Sequence, residues 1–398
     1  MHFEREFGPG GLFERVPVSG PPTVDIAARD LERILVDVVH DGAVIPQEFR
    51  VGRMGEEFPE SLYMDHYVSE RDWGAAVMAR ELAQALGLPA FYRVNLARVL
   101  MDFGRFPGST PRAAPHLQRF AINYPFSELL DFGQKRALLE RYYDTISDEM
   151  DRVVKPRRLK LAMHTYDPYN SNGTLRAPVS LITRVDGLHK DEVTEAFDPL
   201  YPPQLGEWTC DRILRNRVSL TVEKAGFGVA HNFPYTLPEG SIEVRSQVWR
   251  FFAFLEESFS KAHPETQGDP AFLAVWDMLL DTNRRDAQAQ MLRAYIHHFQ
   301  RAPLGKEQEF AASQRAYERV RAFVDAGDGR VVQAYRYAPS RPSAVAIEVR
   351  KDLIFDYDEL GRPTGEPLPS ARAIAQAIAE ALRIYLKIDR PEQATKRV

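Results

Sequence analysis

The sequence has 398 residues, of which 44% are hydrophobic and 27% charged, as is typical of a globular chain with a substantial core. Its 51 basic and 56 acidic residues give a net charge of -5, which argues against a surface that coats nucleic acid or an anionic membrane. The single cysteine, Cys210, excludes an internal disulfide and a multi-cysteine metal cluster, and this fits a reducing compartment.

The first 22 residues are rich in glycine and proline, which predicts an extended N-terminal arm. They begin MHFEREFGPGG, with charge and glycine where a secretory signal needs a continuous apolar segment. No later run reaches membrane-spanning length. We therefore expect a cytoplasmic protein with neither a membrane nor a nucleic-acid partner.

A strand and a helix are predicted after this arm. Residues 34–39 form a β-branched run typical of a buried strand, which delivers His40 into a turn. From Asp65 the apolar residues recur at helical spacing until Gly87 ends the pattern. Asp72 is therefore expected near the beginning of a helix.

Strand and helix patterns alternate through the next part of the chain. Residues 91–102 become apolar and lead into a glycine loop, with Arg98 and Arg105 on either side of the strand end. An arginine in such a loop is well placed to bind a substrate carboxylate through two nitrogens. Residues 126–153 carry the 3.6-residue periodicity of a long surface helix.

The short apolar run 161–163 delivers His164 into a loop rich in polar and turn-forming residues, and a second apolar run, 179–182, follows. This is how an α/β sheet presents a side chain at the carboxyl end of a buried strand. A lone histidine there has a simple interpretation as a structural hydrogen-bonding group. The matching context of His40 favours a shared site instead.

The C-terminal half is predicted to be mostly helical, with two short strands. Residues 218–222 predict one strand, and 241–335 predict a mostly helical insertion. Residues 343–349 predict a buried strand that carries Glu348, and 370–387 predict a closing amphipathic helix.

The predicted fold class is α/β, with a three-layer α/β/α arrangement around a mixed sheet. A catalytic domain would comprise residues 23–240 and 336–390, interrupted by the helical insertion at 241–335. Residues 1–22 would form the arm and 391–398 a frayed tail.

Candidate metal ligands occur at separate sheet ends. A catalytic zinc takes three imidazole or carboxylate ligands, leaves one position open and has a carboxylate nearby. His40 and His164, with either Asp65 or Asp72, can supply the ligands, although each aspartate has a simpler interpretation as a charge favoured by a helix N-terminus. Glu348 lies in an otherwise apolar strand, where burying a carboxylate without a function or partner is costly.

Six segments, taken in order, resemble the N-formylglutamate amidohydrolase family. The second resembles the family's aspartate-led helix, and the third resembles its arginine-bearing strand and loop. The fourth and sixth resemble its histidine segment and its Ile-Glu-x-Arg-x-Asp-Leu strand. The segments are VDVVHDGAVIP, RDWGAAVMARELAQALG, RVNLARVLMDFGR, MHTYDPYNSNGTLRAPVSLI, HNFPY and AIEVRKDLIFD.

The resemblance implies the fold and metal chemistry of the zinc carboxypeptidases and aspartoacylases, with Zn²⁺ as cofactor. It implies His40, Asp72 and His164 as metal ligands and Glu348 as the catalytic carboxylate. It further implies substrate contacts from Arg98, Arg105, Arg176 and Asn232. A second Ile-Glu-Val-Arg copy contains Glu243, but it begins a helical pattern, so Glu348 is the preferred catalytic residue.

Three functions stay open from the sequence. The first is a zinc-dependent amidohydrolase that resembles N-formylglutamate deformylase and cleaves an amide of a small carboxylated substrate. The second is a family member with an altered pocket that acts on a peptide or other amide in a biosynthetic pathway. The third is a non-catalytic relative that binds a carboxylated ligand.

Overall fold

The computed structural model describes residues 11–110, 120–185, 197–206, 208–327, 329–338 and 341–388. In chain order the strands are β1 (Phe13–Pro17), β2 (Ile34–Val38), β3 (Ala90–Val94), β4 (Phe106–Ser109), β5 (Phe120–Ile122), β6 (Leu159–Tyr166), β7 (Val179–Ile182), β8 (Val229–His231), β9 (Ser343–Arg350), β10 (Asp356–Tyr357) and β11 (Pro363–Thr364). The α-helices are α1 (Ala28–Leu31), α2 (Met64–Glu70), α3 (Ala75–Leu86), α4 (Phe126–Leu129), α5 (Phe132–Leu138), α6 (Asp144–Val154), α7 (Pro203–Gly206), α8 (Arg212–Lys224), α9 (Ile242–Ala262), α10 (Pro270–Leu280), α11 (Ala287–Ile296), α12 (Glu307–Asp325), α13 (Arg330–Arg336) and α14 (Pro369–Ile388).

A mixed seven-stranded sheet with the order β1-β3-β2-β6-β9-β7-β8 forms the centre of the molecule. The four inner strands β3, β2, β6 and β9 run parallel, whereas β1 and β7 pair antiparallel with β3 and β9. The residues of β2 and β6 are buried throughout, because both faces of the sheet are covered.

One face of the sheet is covered by α3, α8 and α14. Alternate residues of the inner strands point to this face, and Leu161, Met163 and Ile347 pack among the apolar side chains of these helices. The closing helix α14 lies against both α3 and α8. This layer holds the strands without contributing to the candidate site.

The other face is covered by two groups of helices. Ala162, Ile182 and Ala346 pack against an apolar cluster built mainly from α9 to α13. Leu35 and Val39 pack against a second cluster that includes α5 and α6. The result is a three-layer arrangement in which the helices of residues 241–335 form part of one layer, instead of standing apart from the sheet.

Several local predictions need correction. Residues 218–222 lie inside α8, because Leu214, Val218 and Val222 recur every four residues and are buried on one helical face. The predicted N-terminal arm is extended where it is described, and it packs on the domain as the edge strand β1. The strand predicted over 91–102 ends at Val94. The long helix predicted over 126–153 is continuous from 132 to 154 through α5, a π-helical segment at 139–143 and α6, and only its first turn is separate, as α4.

Among the described residues, no helix combines the length and apolar character needed to cross a bilayer. Residues 1–10 and 389–398, which include the predicted tail, lie outside the described part of the chain.

Candidate active site

Three adjacent parallel strands bring their carboxyl ends together at the candidate site. His40 follows β2 by two residues, and His164 lies within β6, two residues before that strand ends. Glu348 of β9 is the register partner of His164. His164 and Glu348 are therefore neighbours on the same face of the sheet.

Asp72 reaches the site from the break between α2 and α3. Its backbone N–H donates to the carbonyl oxygen of His40 at 3.0 Å. The adjacent Arg71 donates to Asp41 at 2.8 Å, which ties this break to the turn after β2. Asp65 lies in the first turn of α2 and is exposed, so the structure brings Asp72 to the histidines and leaves Asp65 outside the group.

The potential ligand atoms of His40, Asp72 and His164 lie within 4.8 Å of one another, and all three side chains are buried. Nδ1 of His164 is 3.0 Å from Oδ2 of Asp72, and Nδ1 of His40 is 3.6 Å from the same oxygen. This buried group could hold a metal ion.

Asp102 orients His40 from the far side of the imidazole ring. Nε2 of His40 donates to Oδ1 of Asp102 at 2.9 Å, which leaves Nδ1 directed toward Asp72. Such a carboxylate–imidazole contact fixes the tautomer of a histidine ligand. A side chain at Gly104 would place its Cβ 3.2 Å from both Asp102 and His40, so glycine allows this close approach.

Two arginines surround the carboxylates. Arg98 donates to Oδ1 of Asp72 at 3.0 Å and to Asp102 at 3.3 Å, and Arg105 lies 3.0 Å from Asp102. Burial alone would raise the pKa of Asp72, but Arg98 and the two histidines hold it well below its usual range. Both carboxyl groups stay ionised at neutral pH, since the pKa of Asp102 is lowered in the same way.

The surroundings of His164 favour its charged form. Burial opposes its charged form, yet the hydrogen bond to Asp72 and the charge of Glu348 raise the pKa of His164 to about 9. In the metal-free protein this imidazole is therefore protonated on both nitrogens and positively charged at neutral pH. A metal ion held by His164 and Asp72 would have to displace one of these protons.

Glu348 is buried, and only one of its two oxygens is hydrogen-bonded. Oε1 accepts from the hydroxyl of Tyr235 at 2.5 Å, whereas Oε2 is buried and has no hydrogen-bond partner among the described residues. Burial raises the pKa of Glu348, although protonated His164 and the Tyr235 hydrogen bond oppose the rise. Tyr235 was not assigned a role from the sequence, although it ends the HNFPY segment.

A cavity of about 530 Å³ opens beside this group. Its wall includes Asp72, Tyr235 and all three arginines that were predicted to bind substrate, Arg98, Arg105 and Arg176. Arg98 and Arg105 already contact carboxylates of the protein, as described above. Arg176 makes no ion pair within the described part of the chain, and its Nε is buried without a hydrogen bond.

Asn232 lies apart from this cavity. Its side-chain oxygen accepts from the backbone N–H groups of Thr183 and Arg184, at 2.8 and 2.9 Å. Its own backbone has a positive φ of 52°, a conformation that asparagine tolerates better than most residues. Asn232 thus shapes the loop that presents Tyr235, and the structure does not place it among the cavity residues.

The second Ile-Glu-Val-Arg copy lies in the first turn of α9. Glu243 is buried 2.5 Å from Nζ of Lys160, and this ammonium is also 2.7 Å from Asp37. The two carboxylates outweigh the effect of burial and raise the pKa of Lys160, so its charge persists. Glu243 is not part of the His40, Asp72 and His164 group.

Fold and site together define a mixed α/β protein with a buried His–Asp–His group that could hold a metal ion and an adjoining polar cavity.

No family model matches the chain, and no curated protein matches it. Solved structures that are similar to it include a gene product from Agrobacterium tumefaciens, with a TM-score of 0.42 and 16% identity over 89% of this chain and 91% of that one. Another is N-formylglutamate amidohydrolase from Ralstonia eutropha JMP134, with a TM-score of 0.47 and 11% identity over 96% of this chain and 98% of that one. At these scores the likeness concerns the chain path alone, and no functional conclusion follows from it.

Proposed function

We propose that this chain is a zinc-dependent amidohydrolase that cleaves an amide bond in a small carboxylated substrate. The observation that carries the proposal is the convergence of His40, Asp72 and His164 beside Glu348, a buried carboxylate with one oxygen lacking a hydrogen bond. The sequence resemblance to N-formylglutamate amidohydrolases, stated above from its motifs, points to the same chemistry.

The residues present fit a catalytic zinc. Two imidazole nitrogens and one carboxylate oxygen form a usual donor set for such a site, which keeps a further position open. Asp102 orients His40 through a hydrogen bond. Arg98 donates to Oδ1 of Asp72, so that Oδ2 is left for the metal. Metal-ligand side chains are usually oriented by such contacts, whereas a histidine buried for structural reasons does not require them.

A bound Zn²⁺ would polarise the amide carbonyl and lower the pKa of a water molecule. Glu348 would receive the proton of the attacking water on Oε2 and return it to the nitrogen of the departing amine. Tyr235 donates to Oε1, which leaves Oε2 as the oxygen that would take the proton. A carboxylate on the substrate would be held by Arg176, which carries no ion pair of its own in the described chain.

The proposal is tested by metal content and by hydrolysis of amides. Purified protein should hold about one zinc per chain. His40→Ala and His164→Ala should each lose the metal, whereas His263→Ala, a histidine at the end of α9, should retain it. Full zinc occupancy in both site variants, or the absence of hydrolysis across pooled N-acyl amino acids and dipeptides, would reject the proposal.

A further inference from the structure

The cavity has two walls of different chemistry, and they lie on opposite sides of the central strand β6. One wall comes from α2 and the segment after β5, and it contributes Glu70 and Asn123. The other wall comes from the loop after β6 and the end of β9, and it contributes Arg176 and Lys351. In the sheet, β2 and β3 lie on one side of β6, and β9 lies on the other.

The first wall offers hydrogen-bond acceptors beside Arg98, whose charge is paired with Asp72. The carboxylate of Glu70 contacts His66 at 3.2 Å, and it makes no ion pair with lysine or arginine in the described part of the chain. Its side chain keeps 34% of its surface exposed, so a ligand can reach it. In the same wall, Oδ1 of Asn123 is buried and accepts no hydrogen bond from the described residues. A buried acceptor without a donor costs free energy, which a donor on a bound ligand would recover.

The second wall offers a cation. Lys351 is paired with Asp167 at 2.9 Å. The guanidinium of Arg176 lies over the ring of Tyr166, 5.3 Å from its centroid, and within the described ranges it donates to the carbonyl oxygen of Asp167 and to no side chain. Arg176 can therefore form an ion pair with a ligand without breaking one within the protein.

We infer that the substrate is a zwitterion, an amide whose acyl half carries a protonated amine and whose amine half carries a carboxylate. Glu70 and Asn123 would bind the ammonium group, and Arg176 would bind the carboxylate, which places the amide between the two walls beside Asp72. This inference rests on the proposed function and narrows its substrate to aminoacyl amino acids, in place of formyl derivatives that have no amine.

The reaction is an ordinary hydrolysis. The amide C–N bond breaks, water supplies OH to the acyl carbon and a proton to the departing nitrogen, and two amino acids result. No oxidant or further reactant is needed. A cavity of about 530 Å³ lies within the range of pockets that enclose molecules of this size.

The test compares four substrate pools with the zinc-loaded enzyme. The first two are glycyl and formyl derivatives of the twenty amino acids, and the other two are the carboxamides of both sets. We expect the glycyl pool with free carboxylates to be cleaved best. Charge-assisted hydrogen bonds predict a kcat/KM about 10- to 100-fold above that of the matching formyl compounds.

Variants of Glu70 test whether the preference for glycyl over formyl compounds arises from the first wall. Glu70→Gln should reduce the glycyl-to-formyl ratio of kcat/KM about 10-fold or more, mainly through KM. Glu70→Lys should shift the preference toward N-succinyl amino acids, whose acyl half carries a carboxylate. Glu60→Gln, which changes an exposed carboxylate just before α2, is the matched control and should keep the wild-type ratio.

Each outcome decides between the two claims. If no pool is cleaved, the proposed amidohydrolase function fails. If formyl and glycyl compounds are cleaved equally, or if Glu70→Gln leaves their ratio unchanged, the zwitterion inference fails while the amidohydrolase function stands.

Discussion

Two groups of charged side chains lie on the same face of the sheet, yet only one of them contains a lysine that pairs with its carboxylates. The open group consists of His40, Asp72, His164 and Glu348, and the closed group consists of Asp37, Lys160 and Glu243. In the closed group the Lys160 ammonium lies within 2.7 Å of both carboxylates, so the positive charge is built into the chain. In the open group the donor atoms of two imidazoles and a carboxylate converge within 4.8 Å, and no lysine lies among them.

The two groups contain the two copies of the Ile-Glu-Val-Arg sequence. Glu348 lies in strand β9 beside His164, whereas Glu243 lies in the first turn of α9 above Lys160. A carboxylate that already has a buried ammonium partner is not available as a base, because its proton affinity is reduced. Lys160 and His164 accordingly overcome burial and lower the pKa of Glu243 to about 2. Position in the fold separates a catalytic candidate from a structural ion pair.

The largest expected effect is on turnover in the open group. Glu348→Gln keeps the size of the side chain and removes the base, so turnover should fall by about two to four powers of ten while zinc stays bound. Glu243→Gln is the matched change in the closed group and should matter little for turnover per folded molecule. Steady-state kinetics and elemental analysis of both variants check this. The reverse pattern would show that the wrong copy of the sequence was assigned.

The free energy of unfolding should depend more on the closed group than on the open group, the reverse of what is expected for turnover. Lys160→Met leaves Asp37 and Glu243 buried without their cation, so the free energy of unfolding should fall by about 3–5 kcal/mol. Glu348→Gln should change it by less than about 1 kcal/mol, because Oε2 loses no hydrogen bond and a buried charge is removed. Urea unfolding of the metal-free proteins measures both values. Equal destabilisation by the two changes would contradict the distinction between the groups.

Metal affinity should depend on pH through the open group. In the metal-free protein the pKa of His164 is about 9, so below pH 9 a metal must displace a proton. Affinity should therefore rise about tenfold per pH unit from pH 7 and level off near pH 9. Competition with a chelator, corrected for the chelator's own protonation, measures this slope. An affinity independent of pH over this range would mean that metal binding displaces no proton from His164.

The smallest expected effect concerns Tyr235. Tyr235→Phe removes the hydrogen bond to Glu348, and this bond lowers the pKa of that carboxyl. The pKa of Glu348 should rise, so the acidic limb of the kcat profile should move to higher pH, with turnover at neutral pH reduced about tenfold. A loss of turnover without a shift of the limb would instead indicate that Tyr235 acts only through substrate contact.

Much of the candidate site follows from local patterns. His40 follows a short β-branched run, and the apolar runs around His164 and Glu348 predict buried strands, because a strand covered on both faces selects such residues. The choice of Asp72 over Asp65 came from the family resemblance. Local pattern could not make that choice, since both residues lie near helix starts.

Other features depend on partners distant in the sequence. Residues 218–222 were predicted as a strand from a β-branched run, but burial every fourth residue in α8 decided in favour of a helix. Tyr235 was missed because its partner Glu348 is 113 residues away. The sequence favoured Arg105 as the arginine for a substrate carboxylate, with Arg98 or Arg176 beside it, but in the structure Arg105 is paired with Asp102.

The sequence by itself determined the α/β class, most of the strands and helices, and the residue types from which a metal site can be built. These depend on periodicity and composition within short windows. The tertiary structure alone decided which carboxylates are already neutralised. It also decided which atoms converge within 4.8 Å and that the helices of residues 241–335 cover the sheet. Long-range strand order and side-chain pairing set those outcomes, and no local pattern encodes them.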